Sequence, residues 1–193
     1  MKRYLPHIAL ALFLAQLLLL LVSWLYSAAF PTDPVRSLLS GEGVRWFFGH
    51  YARLLGSPLL VWIVLLSLAW GCVTRCGVMH SGNSYRERRA HVITLLYLII
   101  YIGVVLSMSV IPHAVLLSAT GVLWPSPFSA SLVPVTAFGI LSAAVVYGTV
   151  AGNYQSLADV YESLLVGVRQ AAPLLLFYVL LAQIYYSLRF VFC

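Results

Sequence analysis

Charge is what this sequence has least of. Asp, Glu, Lys and Arg make up 8% of the 193 residues, against roughly 25% in an ordinary soluble domain. With 62% hydrophobic residues and a mean hydropathy of +0.98, that scarcity excludes a soluble globular enzyme. It also excludes a disordered chain, which needs low hydrophobicity and high net charge. Cysteine is scarce too, and three cysteines are too few for a disulfide framework. What remains is an integral membrane protein. Eleven basic residues against five acidic ones give a net charge of +6. In a membrane chain these charges mark the loops and set the topology, so no nucleic-acid partner is expected.

Crossing about 30 Å of hydrocarbon at about 1.5 Å per residue takes on the order of 20 apolar residues. The uncharged stretches place five spans: 5–30, 57–74, 92–111, 128–150 and 171–190. Pro58 enters the second span in its first turn, where a missing N–H costs nothing. Between Arg89 and Asp159 lie 69 uncharged residues, enough for two spans and a non-polar connection punctuated by Pro112, Pro125 and Pro127. The apolar segment 114–124 is too short to cross, so it either extends the third span past a kink at Pro112 or is re-entrant. Met-Lys-Arg followed by an apolar run resembles a secretory signal. The run is too long for an h-region, however, and reads as a span. Basic residues number seven on one side of the membrane (Lys2, Arg3, Arg75, Arg86, Arg88, Arg89, Arg169) and four on the other (Arg36, Arg45, Arg53, Arg189). That asymmetry predicts a cytoplasmic N-terminus, anchored by the loop from Arg75 to His91.

Two connecting segments have helical periodicity. Over 44–55, Phe47, Phe48, Tyr51, Leu54 and Leu55 fall on one side, with Arg45, Gly49, His50 and Arg53 on the other, the pattern of a helix lying in the interface. Over 157–169, Leu157, Val160, Tyr161, Leu164, Leu165 and Val168 repeat at helical spacing, with Asp159, Glu162, Ser163 and Arg169 opposite. Ser156 is placed to cap this helix with Asp159 at its third position. It reads as a surface helix, or as one arm of a re-entrant hairpin broken at Pro173. The fold class expected is all-α: one polytopic membrane domain, 1–193, of about five transmembrane helices plus interfacial or re-entrant helices.

Motifs that carry chemistry are missing. The five histidines have no H-x-x-x-H or H-E-x-x-H spacing, so no metal site is expected. Cys72 and Cys76 share a helix face but lack a second pair, and small thiols pack well between helices. There is neither a P-loop nor a G-x-G-x-x-G, so no nucleotide or other cofactor is implied. Without paired His, Asp or Ser motifs, an enzyme is not expected. Within the spans there is no Asp, Glu, Lys or Asn, and the only amides are Gln16 and Gln183. Gln183, near mid-span, is the best polar candidate for a transport path, against the plainer reading of an interhelical hydrogen bond. Gly103, Gly139 and Gly148 are explained as small residues that let helices approach.

Three segments resemble the AbgT family, the p-aminobenzoyl-glutamate transporters of bacterial inner membranes. They are VRSLLSGEGVRWFF with SPLLVWIVLLSLAWGCVTRCG (35–48 and 57–77), SPFSASLVPVTAFGILSAAVVYGTVAG (126–152), and SLADVYESLLVGVRQAAPLLLFYVLLAQIYYSL (156–188). They occur in family order and cover well over half of the chain. The matching motif positions are Gly41, Glu42, Gly43, Pro58, Gly71, Gly77 and Asp159. The resemblance implies an inner-membrane secondary transporter scaffold, with Tyr147, Gly148, Gly152 and Gln183 on the substrate path. Family members are much longer and carry Asn, Ser and Asp at re-entrant hairpin tips. Here those tips are missing, and Arg75 stands in GCVTRCG where the family has an acidic residue. Two functions are therefore expected: a small-molecule transporter that closes its path as a homo-oligomer, or a non-transporting assembly or regulatory module bound to a larger membrane partner. In either case the lipid bilayer is the immediate surrounding.

Overall fold

A computed structural model of the chain describes residues 4–31, 35–80, 84–110 and 127–192. Among these there is no strand, and the order is α1 (Leu5–Ala29), α2 (Gly41–Leu55), α3 (Pro58–Arg75), a 3-10 turn (Val78–His80), α4 (Tyr85–Val110), α5 (Pro127–Ala151) and α6 (Leu157–Phe192). All but α2 are long and apolar enough to cross a membrane. The most apolar window of α4 has no buried residue; Leu95, Leu96, Ile99, Ile100 and Ile102 all face outward. A surface so apolar is stable only in lipid, and the chain is a multi-pass membrane protein. The connection over 112–126, with its kinked or re-entrant alternatives, lies outside the described residues.

The helix expected over 44–55 starts three residues earlier, at Gly41, and two boundaries differ by more than a turn, each for a local reason. The cluster Arg86, Glu87, Arg88 and Arg89 belongs to the first turns of α4 rather than to a loop. Ser84 starts the helix two turns before the expected span: its backbone N–H donates to Glu87 Oε2 at 3.2 Å, and its carbonyl accepts from the Arg88 N–H at 3.1 Å. Ser-x-x-Glu is a helix-start signature. The amphipathic segment 157–169 is neither a separate surface helix nor a hairpin arm, because α6 runs unbroken through Pro173 for 36 residues. Pro173 lacks only the N–H that Arg169 O would accept, a loss tolerated in membrane helices. Such a helix is about 54 Å long at 1.5 Å per residue, well over the hydrocarbon thickness, so its charged first turns are left outside it.

The chain forms two compact units, Met1–Val61 with Ala172–Cys193, and Trp62–Ala171. In the first unit, Gln16 of α1 donates through Nε2 to Ser187 Oγ at 2.9 Å, with both residues buried. Ser23 Oγ accepts from the Leu38 N–H at 3.3 Å, and Arg36 N–H donates to Val191 O at 3.1 Å. Ser40 caps α2 by accepting from the Gly43 N–H at 3.0 Å. Through α2, Trp46 stacks on Phe190 with ring centres 4.5 Å apart. Trp46 and Phe47 are half-buried while Phe48 is 76% exposed, so the apolar side of α2 is shared between protein and surroundings. In the second unit, α4 packs on α5: Tyr101 OH donates to Val135 O at 2.7 Å, and the Tyr101 ring fills the space beside Gly139.

Candidate functional site

Within the second unit, the end of α3, the start of α4, the end of α5 and the start of α6 meet. The crossing of α3 and α6 is made of small residues four apart on each helix, Ser67 and Gly71 against Ser163 and Gly167. A Cβ on Gly71 would strike Ser163 O and come within 2.6 Å of Gly167 N; one on Gly167 would strike Ser67 O and come within 2.9 Å of Gly71 Cα. The two backbones are therefore in contact, the close approach that small-x-x-x-small spacing allows in membranes. One residue along, Cys72 Sγ lies 3.3 Å from Ser163 Oγ, with neither residue exposed. Ser163 spends its own proton on Val160 O at 2.6 Å, so the Cys72 thiol is the donor to it.

The α5–α6 turn completes this cluster. Asn153 N–H donates back to Gly148 O at 2.8 Å and Gly152 N–H to Thr149 O at 3.2 Å, with Gly152 at φ +86°. This is a Schellman termination, which needs the left-handed conformation that glycine adopts freely. The turn then reaches across to α3. Asn153 Nδ2 donates to Cys76 O at 2.6 Å and Tyr154 OH to Cys72 O at 3.0 Å. The Cys72 carbonyl already accepts from the Cys76 N–H at 2.9 Å, so Tyr154 is its second donor, while Asn153 reaches a carbonyl just past the end of α3, where a helix leaves acceptors over. The Tyr154 ring occupies the position a side chain at Gly148 would need, and the Asn153 amide does the same at Gly77, whose φ is +84°.

Electrostatics at this end favour a closed structure. Burial pushes the Tyr154 phenol above its ordinary range, so it stays protonated and keeps donating to Cys72 O. Burial likewise raises the Cys76 thiol, and its S–H donates to Val73 O at 3.1 Å. The Arg86 guanidinium lies 3.1 Å from where a Cβ on Gly152 would sit, a cation placed at the negative end of α5. Arg75 and Glu162 pair at 3.3 Å, half or more exposed, a contact worth little in water. Ser156 Oγ accepts from the Asp159 N–H at 3.3 Å while Asp159 Oδ2 accepts from the Ser156 N–H at 2.9 Å, fixing the start of α6. No trio of His, Cys, Asp or Glu among the described residues is grouped to hold a metal ion.

Beside this cluster is an open groove of about 390 Å³ between the α3 end, α4 and α5. Its walls are apolar (Val73, Leu95, Leu98, Ile140) except at one level, where His91, Thr94 and Tyr147 line it. The Tyr147 ring sits 4.9 Å from the His91 ring and the residue is 2% exposed. Its hydroxyl and Thr94 Oγ1 are buried without a hydrogen-bond partner.

Of the residues expected on a path, Tyr147, Gly148 and Gly152 come together here, with the motif residues Gly71, Gly77 and Asp159. Gln183 belongs to the first unit. There it lines a crevice of about 10 Å³ with Trp46, Phe47 and Tyr186, too small for any solute. Glu42 stands in the first turn of α2, and Gly43 must be glycine because a Cβ would come within 2.5 Å of Ser37 O. A Cβ on Gly41 would meet nothing within 4 Å, and the structure does not explain why this position is glycine. Pro58 opens α3 next to Ser57, whose hydroxyl bonds Tyr178 OH at 2.6 Å. Sequence reasoning missed Tyr154, Asn153, Thr94 and Gly167. The paired spacings Ser67-x-x-x-Gly71 and Ser163-x-x-x-Gly167 were the available signal for the crossing; the hydroxyls carried none. Comparison with protein-family models, curated proteins and solved structures finds no match to this chain.

Proposed function

We propose that this chain is a non-transporting membrane module of AbgT-like descent, set in a bacterial inner membrane with its N-terminus in the cytoplasm. Its work is to present a rigid helical scaffold to a larger membrane protein or to further copies of itself. The observation that carries this reading is the packing at the two path glycines. Tyr154 occupies the space at Gly148 and the Arg86 guanidinium lies against Gly152, as the backbone of α6 lies against the motif residue Gly71. Glycines that a solute path would leave open are spent on packing, and the one candidate amide, Gln183, faces a crevice of about 10 Å³, with room for a single water at most. Seven basic residues against four support the orientation.

Flux of labelled p-aminobenzoyl-glutamate into proteoliposomes holding the full chain alone, with and without proton and sodium gradients, tests the proposal. No flux from inserted, folded protein, with stoichiometric co-purification of a membrane partner or a stable homo-oligomer, is expected. Gradient-dependent uptake abolished by Gly148→Leu at an unchanged level of folded protein would establish the transporter reading instead.

A further inference from the structure

We infer that the groove between α4 and α5 is a binding site for one anionic glycerophospholipid, with an acyl chain along the apolar walls and the ester group at Tyr147 and Thr94. Three independent features of the second unit lead to this occupant. The groove is open and apolar, about 390 Å³, on a helix whose outward face is Leu95, Leu96 and Ile99; in a membrane such an opening meets lipid. Two hydroxyls, Tyr147 OH and Thr94 Oγ1, are buried at its side without partners. A buried hydroxyl left without a partner is costly, and a small rotation of each side chain toward the groove lets an ester carbonyl accept from both. The third feature is charge. His91, Thr94, Leu95 and Leu98 line the groove at helical spacing, and the same face one turn toward the helix start carries Arg88. Glu87 is engaged at the cap by the Ser84 N–H, and the ion pair found among the described residues, Arg75–Glu162, does not involve Arg88.

The order along α4 is the order along a phospholipid. A cation comes first, then hydrogen-bond donors about 9 Å deeper (six residues at 1.5 Å each), then purely apolar wall. A soluble amphiphile would not need the lateral opening, and a protein helix would leave Tyr147 and Thr94 unsatisfied unless it brought a polar group to that depth. The site is independent of whether the chain transports or scaffolds.

Native mass spectrometry of the full chain, released from micelles containing equal phosphatidylglycerol and phosphatidylcholine, reads the site directly. One phosphatidylglycerol retained per chain, in preference to phosphatidylcholine, is expected. Thr94→Val with Tyr147→Phe, which keeps shape and removes only the hydroxyls, is expected to lower its retention about tenfold, the effect of one to two neutral hydrogen bonds. Arg88→Gln is expected to erase the preference for the anionic lipid while acyl-chain binding persists. Glycerol phosphate, the headgroup without chains, is expected not to displace the lipid; displacement would mean a soluble phosphate site and overturn the assignment. Equal retention by the double hydroxyl variant and the parent overturns it as well. So would a lipid-free dimer that the hydroxyl changes dissociate, which would make the groove a protein interface.

Discussion

The two compact units hold their helices together in opposite ways. In the first, α1 and the end of α6 are joined side chain to side chain, by Gln16 to Ser187, with the Gln16 carbonyl oxygen left unpartnered. In the second, α3 and the start of α6 touch backbone to backbone at Gly71 and Gly167, and a turn sends Asn153 and Tyr154 to the carbonyls of Cys76 and Cys72. A long side chain can swing away when its neighbour changes, whereas two backbones in contact cannot separate without moving whole helices. Sensitivity to substitution at these helix contacts should therefore be steep in the second unit and shallow in the first.

The largest effect is expected from Gly71→Leu or Gly167→Leu, which forces a side chain into backbone. The cost is about 3 kcal/mol or more, at the upper end for overpacking, and thermal unfolding in detergent should show little folded protein. Gly103→Ala, where nothing lies within 4 Å, is the control and should instead stabilise by about 0.5 kcal/mol. If both behave alike, close backbone contact is not what holds the second unit.

Next come the left-handed positions. Gly77→Ala and Gly152→Ala should each cost about 1–2 kcal/mol for an L-residue in that conformation, and each also brings a methyl against Asn153 or Arg86. Tyr154→Phe removes the bond to Cys72 O and is expected to cost about 1 kcal/mol. In the first unit, Gln16→Leu should cost about 0.6 kcal/mol or less, the average for a polar contact between membrane helices, because it also removes an unpartnered acceptor. A Gln16 loss as large as that at Gly71 would erase the contrast between the units.

The smallest perturbation is chemical. In a Cys193→Ser background, Cys76 is 1% exposed and its thiol is raised by burial, while maleimide attacks need thiolate. Labelling in intact membranes at neutral pH should be slow and should accelerate only above the ordinary thiol range. Gly71→Leu should make it fast at neutral pH by opening the unit.

Much of the architecture was legible from residue order. Uncharged runs of membrane length gave five crossings because hydrocarbon excludes unpaired charge, and Ser156 with Asp159 marked the α6 start because a helix N-terminus needs acceptors for its free N–H groups. The start of α4 was legible too, in Ser84 and Glu87, though a cluster of arginines looks like a loop when it is the charged end of a helix. Pro173 misleads in the same way, since a proline that breaks a helix in water can be carried inside a membrane helix.

What the sequence alone determined is which segments enter the membrane, for that depends on the transfer of each segment from water to lipid. Which glycines are contacts, which hydroxyls are left without partners and where a groove opens were decided only by tertiary structure. Those properties depend on distances between segments far apart in the chain, and a glycine in open space such as Gly103 is written with the same letter as one pressed against a neighbouring backbone, such as Gly167.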